Sequence, residues 1–195
     1  MRLAEFDRRL REIAPAKGWP FVCEGSPLGC SVFLVGLNPR SDTPFWPHWR
    51  LPYGFDKSAW LEAYHRREGR LSRTRHQLER LVETLAPIRC LETNVFAASS
   101  PRLADLSREA RTTGVFDFLL EAIRPRLVLV HGRAARRHVE RRAGGVALAL
   151  NEFRTVDLGN GSIDVLASRH LSYQLSAEDC RRLGERIRNR VASAA

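Results

Sequence analysis

The amino-acid sequence predicts an α/β protein, a three-layer α/β/α sandwich around a mainly parallel central sheet of about four strands. Three observations carry that expectation. Val32 to Val35 (VFLV) and Leu127 to Val130 (LVLV) are unbroken apolar runs of β-forming residues, the mark of strands buried on both faces. Segments of helical periodicity separate the strand candidates, which is the order of a parallel sheet with crossover helices. The 195 residues contain no internal repeat, low-complexity tract or interdomain linker, so one domain over 1–195 with its own core is expected.

Each element has a local reason. Leu3, Phe6, Leu10 and Ile13 fall on one helical face that Pro15 and Gly18 terminate. Gly18 to Gly29 is rich in turn formers and leads into the first apolar strand, where Gly36 permits close backbone approach and Pro39 forbids continuation. Ser41 to Phe55 is a long loop with three prolines and five aromatic residues, and loops of that length inside a domain are more often functional than filler. Its aromatics, Phe45 and Trp46 among them, either stack a base or cover the sheet end. Asp56 caps a helix running to Arg67, with Phe55 and Trp60 placed as a hydrophobic staple around the cap. Leu71, Leu78, Leu81, Val82 and Leu85 mark the next helix from about Ser72, closed by Pro87. Between these two, His65, Arg66, Arg67, Arg70, Arg73, Arg75 and His76 form a basic cluster, either a phosphate contact or simply a solvated face.

Cys90 to Phe96 is a second strand candidate, and Val115 to Ile123 a helix stopped at Pro125. The LVLV strand passes through His131-Gly132 into a basic helix from Arg133 to Arg142. Phe153 to Leu158 and Ile163 to Ala167 flank Gly159-Asn160-Gly161, a hairpin signal. Ser176 with Asp179 makes a capping box for a last helix with the apolar stripe Cys180, Leu183, Ile187 and Val191.

Composition narrows the function classes. No apolar run approaches the roughly 20 residues of a membrane span, and Arg2, Glu5 and Asp7 interrupt the N-terminus where a signal peptide is apolar, so a cytoplasmic location is expected. The four cysteines show neither a C-x-x-C pair nor zinc-finger spacing, which favours reduced structural thiols over a loose metal site at Cys23 and Cys30. The formal charge of +10 points to a polyanionic partner such as nucleic acid. Of 32 basic residues only Lys17 and Lys57 are lysine, leaving 30 arginines, the side chain suited to bidentate phosphate contact and base stacking. A GC-biased genome produces the same bias without any ligand.

Three strand ends repay a joint reading: Gly36-Leu37-Asn38-Pro39, Thr93-Asn94-Val95 and His170-Leu171-Ser172. Asn38 and Asn94 each end a strand at the carboxyl rim, where ligands bind in open α/β sheets. In order and spacing the three segments resemble the uracil-DNA glycosylase superfamily, whose first motif has the form G-x-[ND]-P, whose second strand commonly ends on asparagine and whose last motif is H-P-S or N-P-S. The similarity spans Ser31 to Val191.

That resemblance implies a monofunctional DNA glycosylase, a hydrolase of base-excision repair that flips uracil or another deaminated base into a rim pocket. It implies DNA as the partner, a nucleoid-associated location, and no metal, cofactor or obligate protein partner. Asn38 would hold the attacking water and His170 would face the base oxygen that becomes anionic, a catalytic pair. Asn94 would read the base edge, with Gly36, Leu37, Pro39, Arg40, Phe45, Trp46 and Ser172 around the substrate and Tyr173 as the wedge that fills the vacated stack. Two departures from the family pattern stand out: Arg40 where relatives carry glycine or tyrosine, and Leu171 in place of the proline of H-P-S, a change expected to loosen the His170 loop. Arg40 either contacts phosphate, stacks on the base or plugs the pocket through Asp42. The alternatives are a non-catalytic nucleic-acid-binding protein of the same fold and a small-molecule nucleotide or nucleoside hydrolase.

Overall fold

Helix α1 (Leu3–Ile13) buries Phe6 and Leu10, the face its spacing predicts. After it come β1 (Phe21–Val22), β2 (Val32–Gly36), the short pair β3 (Trp49–Arg50) and β4 (Gly54–Phe55), α2 (Lys57–Glu68), α3 (Arg73–Leu85) and β5 (Cys90–Asn94). The second half alternates α4 (Gly114–Ile123), β6 (Leu127–His131), α5 (Arg133–Arg142), the hairpin strands β7 (Phe153–Asp157) and β8 (Ser162–Ser168), and α6 (Ala177–Ser193). This computed structural model describes residues 1–159, 161–172 and 174–193; Asn160 of the hairpin signal and Tyr173 of the proposed wedge lie outside them.

The protein is α/β, with a mostly parallel six-stranded sheet in the order β1-β5-β2-β6-β8-β7. Strands β5, β2, β6 and β8 run parallel, and β1 and β7 flank them antiparallel. The expected count of about four strands was too low. β1 has only two residues, too few to show a period inside a stretch of turn formers, and β7 joins the same sheet through its hairpin.

Alternating strand residues feed two apolar clusters. Phe33, Val35, Leu91, Val128 and Val130 pack with α1, α4 and α5, and Val32, Leu34, Cys90, Leu127 and Leu129 with α3 and α6. All four cysteines are buried free thiols. Among the described residues no helix is long and apolar enough to cross a membrane.

The caps form where the sequence places them. The Asp56 carboxylate accepts from the Ala59 amide at 2.9 Å and Ser72 from Arg75 at 3.2 Å, while Ser176 and Asp179 bond reciprocally. Phe55 and Trp60 meet with ring centroids 6.3 Å apart, closing the staple.

One member of the basic cluster departs from both readings of it. Arg75 is 4% exposed, lies over the Trp60 ring and pairs with Glu92 on β5 and with Glu79 at 3.0 Å. Lys57 completes the group, its ammonium 2.8 Å from Glu79 and 2.9 Å from Glu92. Burial alone would raise the Glu92 carboxyl, but Arg75 and Lys57 outweigh it and hold the group ionised. Arg75 is therefore a core residue rather than part of a phosphate-facing surface.

Candidate functional site at the carboxyl rim of the sheet

Strand register assembles the site. Gly36 lies opposite Asn94, Val35 opposite Val130, and His131 opposite Ser168. Since alternate residues share a face, Asn94, Gly36, His131 and Ser168 form one row across β5, β2, β6 and β8. It lies at the carboxyl ends of four parallel strands, and Gly36 leaves a gap in its middle.

A methyl group added at Gly36 would stand 2.6 Å from the Asn94 Oδ1 and 3.2 Å from the His131 Nε2, so both side chains converge over the missing one. Both are buried, and both keep a polar atom without a partner: the Asn94 Nδ2 and the His131 Nδ1 form no hydrogen bond among the described residues. Orphaned buried donors and acceptors are uncommon and costly, so two side chains that each carry one and converge at the strand ends mark a site that a ligand can complete. Desolvation, with His170 adding to it, pushes the His131 imidazole down to about 3, which makes it neutral at physiological pH.

His170 faces this pair from the loop after β8. Its ring meets His131 edge to face, centroids 5.2 Å apart, and Gly132 at φ 87° lets it approach, since a side chain there would meet the His170 Cδ2 at 3.0 Å. The Ser172 amide donates to the His170 Nδ1 at 3.2 Å and the Ser172 hydroxyl lies 2.8 Å from the same nitrogen. An accepting Nδ1 puts the proton of the neutral ring on Nε2, which becomes a donor. Partial burial lowers the His170 pKa and favours that neutral form. Leu171 is fully buried in the cluster of α3 and α6, so it pins the loop that its replacement of proline was expected to loosen.

Asn38 stands on the loop beyond Gly36. The Val95 and Phe96 amides bond to the Gly36 and Leu37 carbonyls at 2.9 and 2.8 Å, and the Ser100 amide to Pro39 at 2.9 Å, so the loops after β2 and β5 run side by side. The Asn38 Nδ2 donates to the Ser100 hydroxyl at 3.0 Å and carbonyl at 3.2 Å, whereas its Oδ1 accepts nothing from the described residues. The turn and ligand readings of Asn38 thus apply to different atoms of one amide.

Three expectations change. Phe45 is 2% exposed and stacked on Phe55 at 4.8 Å between centroids, so it covers the core and has no face for a base. Trp46 packs edge-on to Phe45 with Arg11 over its ring. Asp42 accepts from the Gly18 amide and the Ser99 hydroxyl and pairs with Arg67 at 3.5 Å; exposed Arg40 makes no contact with it, and no plug forms. His131 is the residue that sequence reasoning passed over as a link into α5, although it ends β6 as Asn94 ends β5.

Comparison with models of known protein families and with curated proteins found no match. The chemistry of the rim rests on its own atoms.

Proposed function

We propose that this protein is a DNA glycosylase that hydrolyses the N-glycosidic bond of uracil or another deaminated base, on a three-layer uracil-DNA glycosylase-like sandwich. The observation that carries the reading is that Asn94 and His131, each with an unpartnered buried nitrogen, bring the Asn94 Oδ1 and the His131 Nε2 together over Gly36 beside a neutral His170. A flipped base supplies what they lack, because a pyrimidine edge offers a carbonyl and an N–H side by side and an amide can satisfy both.

The reaction breaks the bond between the sugar C1′ and the base nitrogen, and the electron pair leaves with the base. Negative charge grows on the base oxygen while the sugar becomes oxocarbenium-like. His170, with its proton on Nε2, donates to that oxygen; a donor aimed at developing charge in a desolvated site is typically worth about 3 kcal/mol of barrier. The Asn38 Oδ1 accepts from the water that attacks C1′, while its Nδ2 stays on Ser100 and fixes the amide. An amide is no strong base; here it needs only to orient water toward a carbon that is already cationic. The net charge of +10 favours association with a polyanion such as DNA.

The deciding experiment uses oligonucleotides carrying a single uracil, hypoxanthine or xanthine, single- and double-stranded, with alkaline cleavage of the abasic product. Cleavage at one of these bases that Asn38→Ala abolishes is expected. Intact strands with all of them would overturn the reading.

A further inference from the structure

A second concavity opens on the opposite face of β2, and the rim chemistry does not use it. Its volume is about 400 Å³, with Leu37, Phe96, Leu103 and Ala134 as apolar lining and arginines of α5 along its edge. No carboxylate lines it. Leu37 follows Gly36 directly, so the base gap and this cavity are separated by one residue of backbone, about 3.8 Å between Cα atoms.

Helix α5 sorts its arginines. Arg136 pairs with Glu140 and Arg142 with Asp117, whereas the guanidinium groups of Arg133, Arg137 and Arg141, all exposed and all at the cavity, form no ion pair or hydrogen bond among the described residues. These three are spaced i, i+4 and i+8, a row about 12 Å long at 1.5 Å per residue. A single carboxylate cannot engage such a row; a chain of phosphates can. Arg111 is different: it donates to the Leu103 and Leu106 carbonyls and so holds the loop that closes the cavity. Phe96 presents its ring beside His138, centroids 6.0 Å apart and edge to face, and burial lowers the His138 pKa so that this wall is uncharged.

We infer that the cavity takes one unpaired nucleotide of a single strand, its base against Phe96 and its flanking phosphates on Arg133, Arg137 and Arg141. The inference builds on the reading that the protein works on DNA, and it adds a strand preference. A base stacked and paired inside a duplex has both faces covered and cannot lay one on Phe96 in this open cavity, whereas an unpaired one offers its π-face to an aromatic at no unpairing cost. A strand with one nucleotide over Gly36 places its neighbour at Leu37. Single-stranded DNA is therefore the favoured form.

The test is fluorescence anisotropy with the full chain and three lesion-free probes: an oligothymidine, a hairpin duplex of equal phosphate number, and an equal-length strand of abasic units. The oligothymidine is expected to bind at least tenfold more tightly than either of the others. Arg137→Ala with Arg141→Ala should weaken it at least tenfold and reduce the salt slope by about 1.4, at about 0.7 per phosphate contact on a single strand. Arg154→Ala with Arg8→Ala, two exposed positions away from the cavity, should change affinity less than the cavity pair by at least fivefold. Equal affinity for duplex and single strand, an abasic strand bound as tightly as the oligothymidine, or a cavity pair that behaves like the control pair would each overturn the inference. Base excision measured alongside separates the two claims. Arginine-dependent single-strand binding without excision on any lesion supports this inference and sinks the glycosylase reading, while excision with silent arginine variants does the reverse.

Discussion

Glu92 and Asn94 lie two residues apart on one face of β5, both almost fully buried, and the protein treats them oppositely. Glu92 is surrounded: Lys57 bonds one of its oxygens and Arg75 the other, and Glu79 pairs with both of those cations. Asn94 is left open, with its amide nitrogen unpaired and its oxygen over the gap that Gly36 leaves. Both have given up water. Only the first has been repaid within the fold, and the contrast separates a polar group that serves structure from one that waits for a ligand.

The largest effect should come from breaking the satisfied end. Glu92→Gln strands Arg75 and Lys57 without their buried anion and should cost about 3–5 kcal/mol, read as a lower urea midpoint at unchanged slope. Removing both sides together, with Glu92→Leu, Arg75→Met and Lys57→Met, should recover most of that loss. Failure to recover any of it would show that the group does more than neutralise itself.

The open end should respond in the reverse sense. Asn94→Leu keeps the volume and deletes the orphaned donor, so the urea midpoint should hold or rise while base excision falls at least a hundredfold, about 3 kcal/mol. A variant that loses stability and activity in parallel would erase the distinction between the two residues.

A smaller effect follows from protonation. The His131 imidazole titrates near 3 in the folded chain and near its ordinary value when unfolded, so between those limits the unfolded state binds more protons and stability falls as pH falls. From pH 6.5 to 5, above the carboxylate range, the wild-type protein should lose up to about 1.4 kcal/mol per pH unit more than His131→Phe does. Parallel stability curves for the two proteins would mean that the site admits enough water to relieve the ring.

Arg40 marks the solvated limit of the series. It is exposed, so Arg40→Gly should change DNA affinity by only about 1 kcal/mol and the salt slope by about one, without creating excision that the wild type lacks. Newly gained excision in that variant would restore the plug that the occupied Asp42 argues against.

Much of this frame was legible in the sequence because it is written in short-range patterns. The VFLV and LVLV runs, the Asp56 and Ser72 caps and the Ser176–Asp179 box each depend on residues within a few positions of one another, and each formed. What escaped depends on pairing across distance. Nothing near Arg75 in the chain says that Glu92 will neutralise it, so a buried arginine read as one more surface cation. His131 looked like a link into α5 until register set it in a row with Asn94 and Gly36, and Phe45 stood open between stacking a base and covering the sheet end until Phe55 lay across it. The arginines of α5 formed one basic run in the sequence; only their partners divide that run into paired and unpaired sets.

Gly36 carries a consequence for how such a site changes over time. The space between Asn94 and His131 exists because one hydrogen stands where every other residue would put carbon, and the nearest carboxamide oxygen would be 2.6 Å from the first atom added. The smallest possible mutation, to alanine, therefore closes the gap outright, while substitutions of its neighbours merely reshape the walls. Adaptation to a new occupant can proceed in graded steps at Asn94, His131 and His170, but it has no intermediate step at Gly36; that position is a switch with two settings.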